Sequence, residues 1–386
     1  MNELINKTLV SFAACFNKSN ATAYAFAPGR VNIIGEHTDY NDGFVMPCAI
    51  DFGTVVCGAR NDQNLIRMVA LDFGNDIDII DLSQPVELKK NGSWCNYLRG
   101  VVKVFLDEGF KLHGCDIAIS GNVPLGAGLS SSASLEVAMG AFLNGFNNLG
   151  ITSKEIALLG QRAEHFAGCN CGIMDQMISA TGKKDHAVLI DCRSLDLQNV
   201  PVPNNLSIMI VNSKVKHDLV AGEYNTRREQ CENAAKILGV SKLRDASLSM
   251  LEAKKGEMTD VVFRRARHVI GDCVRCQEAI EAFKSGDISS LSRILGSAHR
   301  SLRDDFEVSI PEIDFIVDTI YKLGGTQVAS RITGGGFGGC VVALMPHDMV
   351  ETVKQEVLKE YKAKYNIVAD VYVCTPSDGA CFENLN

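Results

Sequence analysis

The sequence predicts an α+β protein of two domains, and three observations carry that prediction. A strand-rich stretch over residues 23–81 gives way to alternating helix and strand patterning. The proline- and asparagine-rich segment NVPVPNN at 199–205 then interrupts the pattern, and strands and helices resume beyond it. With 386 residues the chain also exceeds the ~250–300 residues at which a single core stops growing. The expected units are residues 1–203 and 204–386.

The elements follow in order. Residues 9–16 form a short apolar run. Glu3 offsets Lys7, so the basic flank of a secretory signal is absent and the run reads as a first amphipathic helix. Residues 23–60 read as short strands broken by turns at Pro28-Gly29, at Asn41-Asp42-Gly43 and at 51–53. LIRMVA (65–70) and DIDIID (76–81) continue as strands, and 94–107 is a helix. Residues 115–120 alternate apolar and polar as a half-buried strand does. In 134–143, Leu135, Ala138, Met139 and Phe142 share one helical stripe. A helix at 153–166, capped by Ser153, precedes a strand at 187–191. Beyond the linker come a strand at 207–212 and a helical region, with breaks, over about 222–301. Residues 311–323 form a helix with proline in its first turn. Residues 331–345 are a glycine turn feeding an apolar strand, 348–365 a helix, and 367–374 a closing strand.

Between strand 115–120 and helix 134–143 lies PLGAGLSSSAS (124–134), the stretch around which the chain is organised. A helix start carries unpaired N–H groups and partial positive charge, which suits an anion. Gly126 and Gly128 lack a Cβ, so phosphates can approach the backbone. Ser130, Ser131 and Ser132 can cap the helix or donate to phosphate oxygens, and one of them could ligate Mg2+. The GK[ST] ending of a Walker A loop is missing.

Composition narrows the possibilities. A net charge of −8 argues against a broad nucleic-acid footprint. No run reaches the ~20 apolar residues of a membrane span. The 14 cysteines are scattered, some in apolar runs, which fits free thiols in a cytoplasmic protein better than a disulfide framework. Cys273-x-x-Cys276 near His268, and Cys169-x-Cys171, make a poor zinc set.

Two stretches carry candidate chemistry. GRVNIIGEHTDYNDG (29–43) gathers Arg30, Glu36, His37 and Asp39 among glycines, which suits a small ligand with many hydroxyls. In CNCGIMDQ (169–176), Asp175 sits in an uncharged neighbourhood, where a carboxylate is costly unless paired. Arg30 is the candidate partner, and Asp175 either caps a helix start or serves as a catalytic base.

From about residue 25 to 376 the chain resembles the galactokinases among the GHMP small-molecule kinases. The resemblance rests on GRVNIIGEHTDYNDGF, PLGAGLSSSASLE, GCNCGIMDQ and TGGGFGGC, in that order. It implies an N-terminal domain like domain 2 of ribosomal protein S5 joined to a ferredoxin-like C-terminal domain. It implies ATP-dependent phosphorylation of galactose at its C1 hydroxyl, the entry to the Leloir pathway, by a monomer. Asp175 would be the catalytic aspartate, with Arg30 stabilising the transferring phosphoryl. Glu36, His37, Thr38, Asp39, Gly172, Asp175 and Tyr224 would bind the sugar. Gly126, Ala127, Gly128, Leu129, Ser130, Ser131 and Ser132 would hold the ATP phosphates, Ser132 and Glu164 would hold Mg2+, and the TGGGFGG turn would close on the site. One departure stands out: AEHFAGCNCG is a residue shorter after the glutamate than is common in the family. One residue turns a helix by about 100°, so either the helix end absorbs the change or Glu164 is displaced. The carboxylates of EHTD favour a sugar acceptor over mevalonate or homoserine. N-acetylgalactosamine as acceptor, and a catalytically silent sugar sensor, are the alternatives.

Overall fold

The computed structural model describes residues 1–16, 20–92, 94–124, 126–215 and 220–385; Leu125 of the glycine- and serine-rich stretch lies outside them. The strands are β1 (Ala23–Ile34), β2 (Phe44–Arg60), β3 (Leu65–Ala70), β4 (Asp76–Asp81), β5 (Cys115–Gly121), β6 (His186–Asp191), β7 (Leu197–Pro201), β8 (Leu206–Asn212), β9 (Ala329–Thr333), β10 (Cys340–Pro346), β11 (Asp370–Cys374) and β12 (Cys381–Asn384). The helices are α1 (Asn2–Cys15), α2 (Trp94–Asp107), α3 (Ser131–Asn147), α4 (Ser153–Phe166), α5 (Met174–Thr181), α6 (Val220–Leu238), α7 (Leu248–Ala253), α8 (Asp260–Ser285), α9 (Ile288–Asp304), α10 (Pro311–Gly324) and α11 (Val350–Tyr365).

Eight strands form one sheet, in the order β12-β1-β2-β5-β3-β4, with β6 on the start of β2 and β7 on β6. Among the described residues only β3 and β5 pair in parallel. Helices α2 to α5 cover one face through Leu98, Phe105, Val137, Phe142 and Met177. Helix α1 covers part of the other, with Phe12 against Tyr24 and Phe26. The second sheet is antiparallel, in the order β11-β8-β10-β9. Its strands alternate with period two. Met209, Val211 and Ala343 face a core shared with α6, α8, α10 and α11. Ile208, Ile210 and Val342 face Val31, Ile33 and Met46 of the first sheet. The two sheets are therefore joined through a third, largely apolar core.

Several boundaries differ from those expected. β1 runs unbroken through Pro28-Gly29, where a register shift against β2 absorbs the proline. β2 runs through 51–53 because Gly53 lies on a close strand crossing: a Cβ there would come within 2.4 Å of Ala27 O and the Phe26 ring. The turn at 41–43 is present. Helix α3 starts at Ser131 rather than 134. Thr152, not Ser153, caps α4, in a reciprocal capping box with Glu155. Part of the expected linker is strand β7, and after the expected closing strand the chain returns to β1 as β12.

Candidate active site

Two glycine turns meet at the site. Gly128, before α3, has φ +68°, and Gly334, after β9, has φ +87°. A Cβ on Gly334 would stand 3.1 Å from Gly128 O, so the two turns pack backbone against backbone. The first turn fixes Arg30 of β1. The Arg30 N–H donates to Leu129 O at 3.1 Å, and Nη1 donates to Gly128 O.

Arg30 in turn grips Asp175, in the first turn of α5. Nε donates to Oδ1 and Nη2 to Oδ2, each at 2.8 Å, the strong bidentate form of the pair. Ser130 Oγ also donates to Oδ2. Ser130 adopts φ +60°, ψ +52°, and its hydroxyl leaves α3 without a side-chain cap to reach Asp175 instead. A carboxylate offers about four acceptor directions. Three are taken, so the remaining one lies on Oδ1.

A cavity of about 160 Å3 opens over Asp175, walled by Arg30, Glu36, His37, Asp39, Gly172 and Tyr224 together with Glu164, Gly334 and Gly335. Glu36 is buried. Asn32 Nδ2 (2.9 Å) and Arg331 Nη2 (2.6 Å) reach its Oε2, and Gly334 N–H donates to Oε1 at 2.8 Å. Burial pushes its carboxyl upward, against the opposing pull of Arg331 and Arg30. His37 packs edge-on against Tyr40 and at a tilt against Tyr224 and Phe306. Its Nε2 lies 3.3 Å from Gly335 O, an acceptor, so the proton sits there and Nδ1 accepts from Tyr40 Oη at 2.9 Å. Burial, reinforced by His268, lowers His37 to about 3, so the ring is neutral. Asp39 rises to about 6, first from burial and then from the charge of Asp175. A Cβ on Gly172 would stand 1.8 Å from Asp39 Oδ2, so only glycine leaves that carboxylate its place.

Thr38 does not join the cavity. It is fully buried, and its Oγ1 lies 2.8 Å from Phe44 O and 3.1 Å from Gly35 O, holding the turn between β1 and β2. Ala127 and Leu129 are also core residues, packed with Val31 and Ile33, so their side chains are turned from any ligand.

A second cavity, about 470 Å3, lies at the start of α3, lined by Ser131, Ser132 and Leu135 with Trp94 and Tyr97 of α2. Ser132 Oγ donates to Glu164 Oε1 at 2.9 Å. Ser132 borders the large cavity and Glu164 the small one, so this pair stands in the wall between them. Past Glu164 the helix end turns at Gly168, φ +106°, and Cys169 N–H closes on Glu164 O. Gln176 Nε2 (2.5 Å) and Cys171 Sγ (3.0 Å) also donate to Glu164 Oε2. Among the described residues no group of three His, Cys, Asp or Glu is arranged to hold a metal. All fourteen thiols are free.

Sequence reasoning did not single out Arg331, Asn32 or Asp272. Arg331 is fully buried on β9 and crosses to β1, donating to Ile33 O and Asn32 O. An arginine in a fully buried strand, two residues before the TGGG turn, was the feature to notice.

Three family descriptions match the chain: "Galactokinase galactose-binding signature" over residues 11–60, "GHMP kinases N terminal domain" over 96–183 and "GHMP kinases C terminal" over 279–363. A galactokinase from Mannheimia succiniciproducens is 50% identical over 374 residues, covering 95% of this chain and 96% of that protein. The chain belongs to the galactokinase family. The fold agrees: the Lactococcus lactis galactokinase complexed with galactose superposes with a TM-score of 0.93 at 32% identity, over 98% of this chain and 99% of that one. The Methanococcus jannaschii mevalonate kinase, at 20% identity and a TM-score of 0.65, covers 92% and 98% and shares the GHMP kinase fold. The chain thus has the expected two-part α+β architecture. None of its described helices is long and apolar enough to cross a membrane.

Proposed function

We propose that the chain transfers the γ-phosphoryl group of ATP to the C1 hydroxyl of galactose, giving galactose 1-phosphate and ADP. The observation that carries this reading is Asp175, pinned by Arg30 and Ser130 with one acceptor direction left over the small cavity. Galactose occupies that cavity, where Glu36, Asp39 and Gly172 hold its hydroxyls and Tyr224 packs beside it. Asp175 Oδ1 accepts a hydrogen bond from the C1 hydroxyl, orients it, and takes its proton as the new bond to phosphorus forms. Arg30 retains N–H groups beyond those given to Asp175 and Gly128, and these meet charge developing on the phosphoryl oxygens.

ATP occupies the larger cavity, its base against Trp94 and Tyr97 and its phosphates over the uncapped start of α3, with Gly126, Gly128, Ser131 and Ser132 around them. Mg2+ fits the residues present. A hydroxyl and a buried carboxylate oxygen, Ser132 and Glu164, supply the one or two protein ligands Mg2+ takes beside nucleotide phosphates. When bound it neutralises phosphate charge. Alignment of the two substrates is the main service of the protein.

The reading includes a working monomer, supported by a site built from one chain. It includes a reducing, cytoplasmic setting, supported by the free thiols, and a division at 203/204, supported by the two sheets although β12 crosses it. ADP release measured with a panel of sugars tests it. Galactose is expected to give the highest kcat/KM. Higher turnover with a 2-substituted galactose, or galactose binding without ADP release, would refute it.

A further inference from the structure

Helix α8 belongs to the second half of the chain, yet it grips the peptide of Glu36 from both sides. Asp272 Oδ2 accepts from the Glu36 N–H at 3.0 Å. His268, four residues earlier and so on the same helix face, brings Nε2 to 3.0 Å from Glu36 O. A carbonyl only accepts, so Nε2 carries the proton and donates, leaving Nδ1 to accept from Ser301 Oγ of α9 at 2.9 Å. Burial lowers His268 to about 4, which keeps this neutral form. Asp272 is anchored in turn by Arg275 Nε at 2.8 Å. Both gripping residues are fully buried.

The peptide they hold lies in a sharply turned backbone. Gly35 has φ +94° and His37, a non-glycine residue, φ +60°. No strand pairing satisfies Glu36, because the β1–β2 register ends at Ile34. Without the two α8 side chains its buried N–H and C=O would be unpaired, which a fold avoids by shifting the segment. That segment carries both the Glu36 carboxylate and the His37 ring into the small cavity.

We propose that His268 and Asp272 are positioning residues for the acceptor sugar: they fix the turn that aims Glu36 and His37, without touching the ligand. This rests on the galactose reading above. Steady-state kinetics in both substrates, with melting temperatures, tests it on the full chain. His268→Ala is expected to raise the KM for galactose on the order of tenfold, the worth of one buried hydrogen bond. Its kcat and its KM for ATP should stay within about twofold of wild type, as loss of uniform binding predicts. His268→Gln, whose amide N–H can donate to Glu36 O, should recover most of the loss. Asp272→Asn, which keeps an accepting oxygen, should outperform Asp272→Ala in the same parameter. Should His268→Ala not fold, Ser301→Ala removes the donor to Nδ1 and should raise the galactose KM a few-fold. An unchanged galactose KM, a glutamine no better than alanine, or both KM values and kcat moving together would overturn the assignment. A wild-type chain that turns over ATP with another sugar but not galactose would instead sink the underlying reading.

Discussion

Asp175 illustrates how a single side chain acquires a role through its partners. Its charge is matched by a buried guanidinium, and its free acceptor direction is set by the three donors already bound. Asp175→Asn keeps the shape and loses the proton acceptor. Its kcat is expected to fall ~10^2–10^4-fold, while galactose affinity by calorimetry stays within a few-fold; near-normal turnover would show that the carboxylate only orients. Asp39 carries the pH prediction. Its carboxyl sits at about 6 against an ordinary 3.8, raised by burial first and by Asp175 second. Protonation removes an acceptor for the sugar, so the KM for galactose should rise as pH falls through about 6, and Asp39→Asn should flatten that profile. The stability sign is opposite. A raised carboxyl contributes stability that is complete below about 3.8 and lost as pH rises through about 6. Asp39→Asn should therefore melt higher than wild type at pH 8, with the gap closing toward pH 4.

At the scale of elements, the strand edge formed by β12 is a test of packing. The Phe382 ring lies over α3, so near that a Cβ on Gly145 would come within 2.2 Å of it, and it meets Phe142 edge-on. Phe382→Ala is expected to cost ~1–3 kcal/mol in denaturant unfolding, less than a fully buried phenylalanine because the residue stays partly exposed. Kinetic constants should barely change, since β12 is remote from both cavities. A loss below about 0.5 kcal/mol would mean that β12 is not a packed part of the sheet. This strand was illegible in the sequence. Its four residues carry too short a pattern, and only a partner at the other end of the chain makes them strand. Periodicity did reveal α2, α3 and β5, because each presents an apolar stripe or alternation to one core. The same local reasoning broke β1 at Pro28-Gly29, where tertiary pairing outweighs the turn preference of those residues. In the site, the motif residues near glycines were legible because chemistry-bearing side chains cluster there in sequence. Ser130 read as a helix cap or a phosphate donor and Thr38 as a sugar ligand, whereas the structure turns Ser130 Oγ to Asp175 and buries Thr38, since a side chain's direction depends on backbone angles that sequence does not display. Arg331 and Asp272 escaped, and His268 stood out only beside a poor zinc set, because their importance arises from distant partners.

The molecule as a whole is tied together by the apolar core between its two sheets and by Arg331 and α8 reaching across it. The small cavity over Asp175 depends on this alignment, because Tyr224, Gly334 and Gly335 of its wall come from the second half. The two halves should consequently unfold together, with one calorimetric peak whose van't Hoff and calorimetric enthalpies agree. Ile210→Ala, which empties part of the shared core, should lower that single melting temperature rather than split it. Two separable peaks would show that the halves are energetically independent. The pairing of β12 with β1 has one more consequence, for biogenesis. During translation the Ala23–Phe26 edge faces solvent until the ribosome has made its partner at Cys381–Asn384. An unsatisfied strand edge is a template for wrong pairing. The Ala23–Phe26 edge is therefore open to such pairing for as long as Cys381–Asn384 is not docked on it.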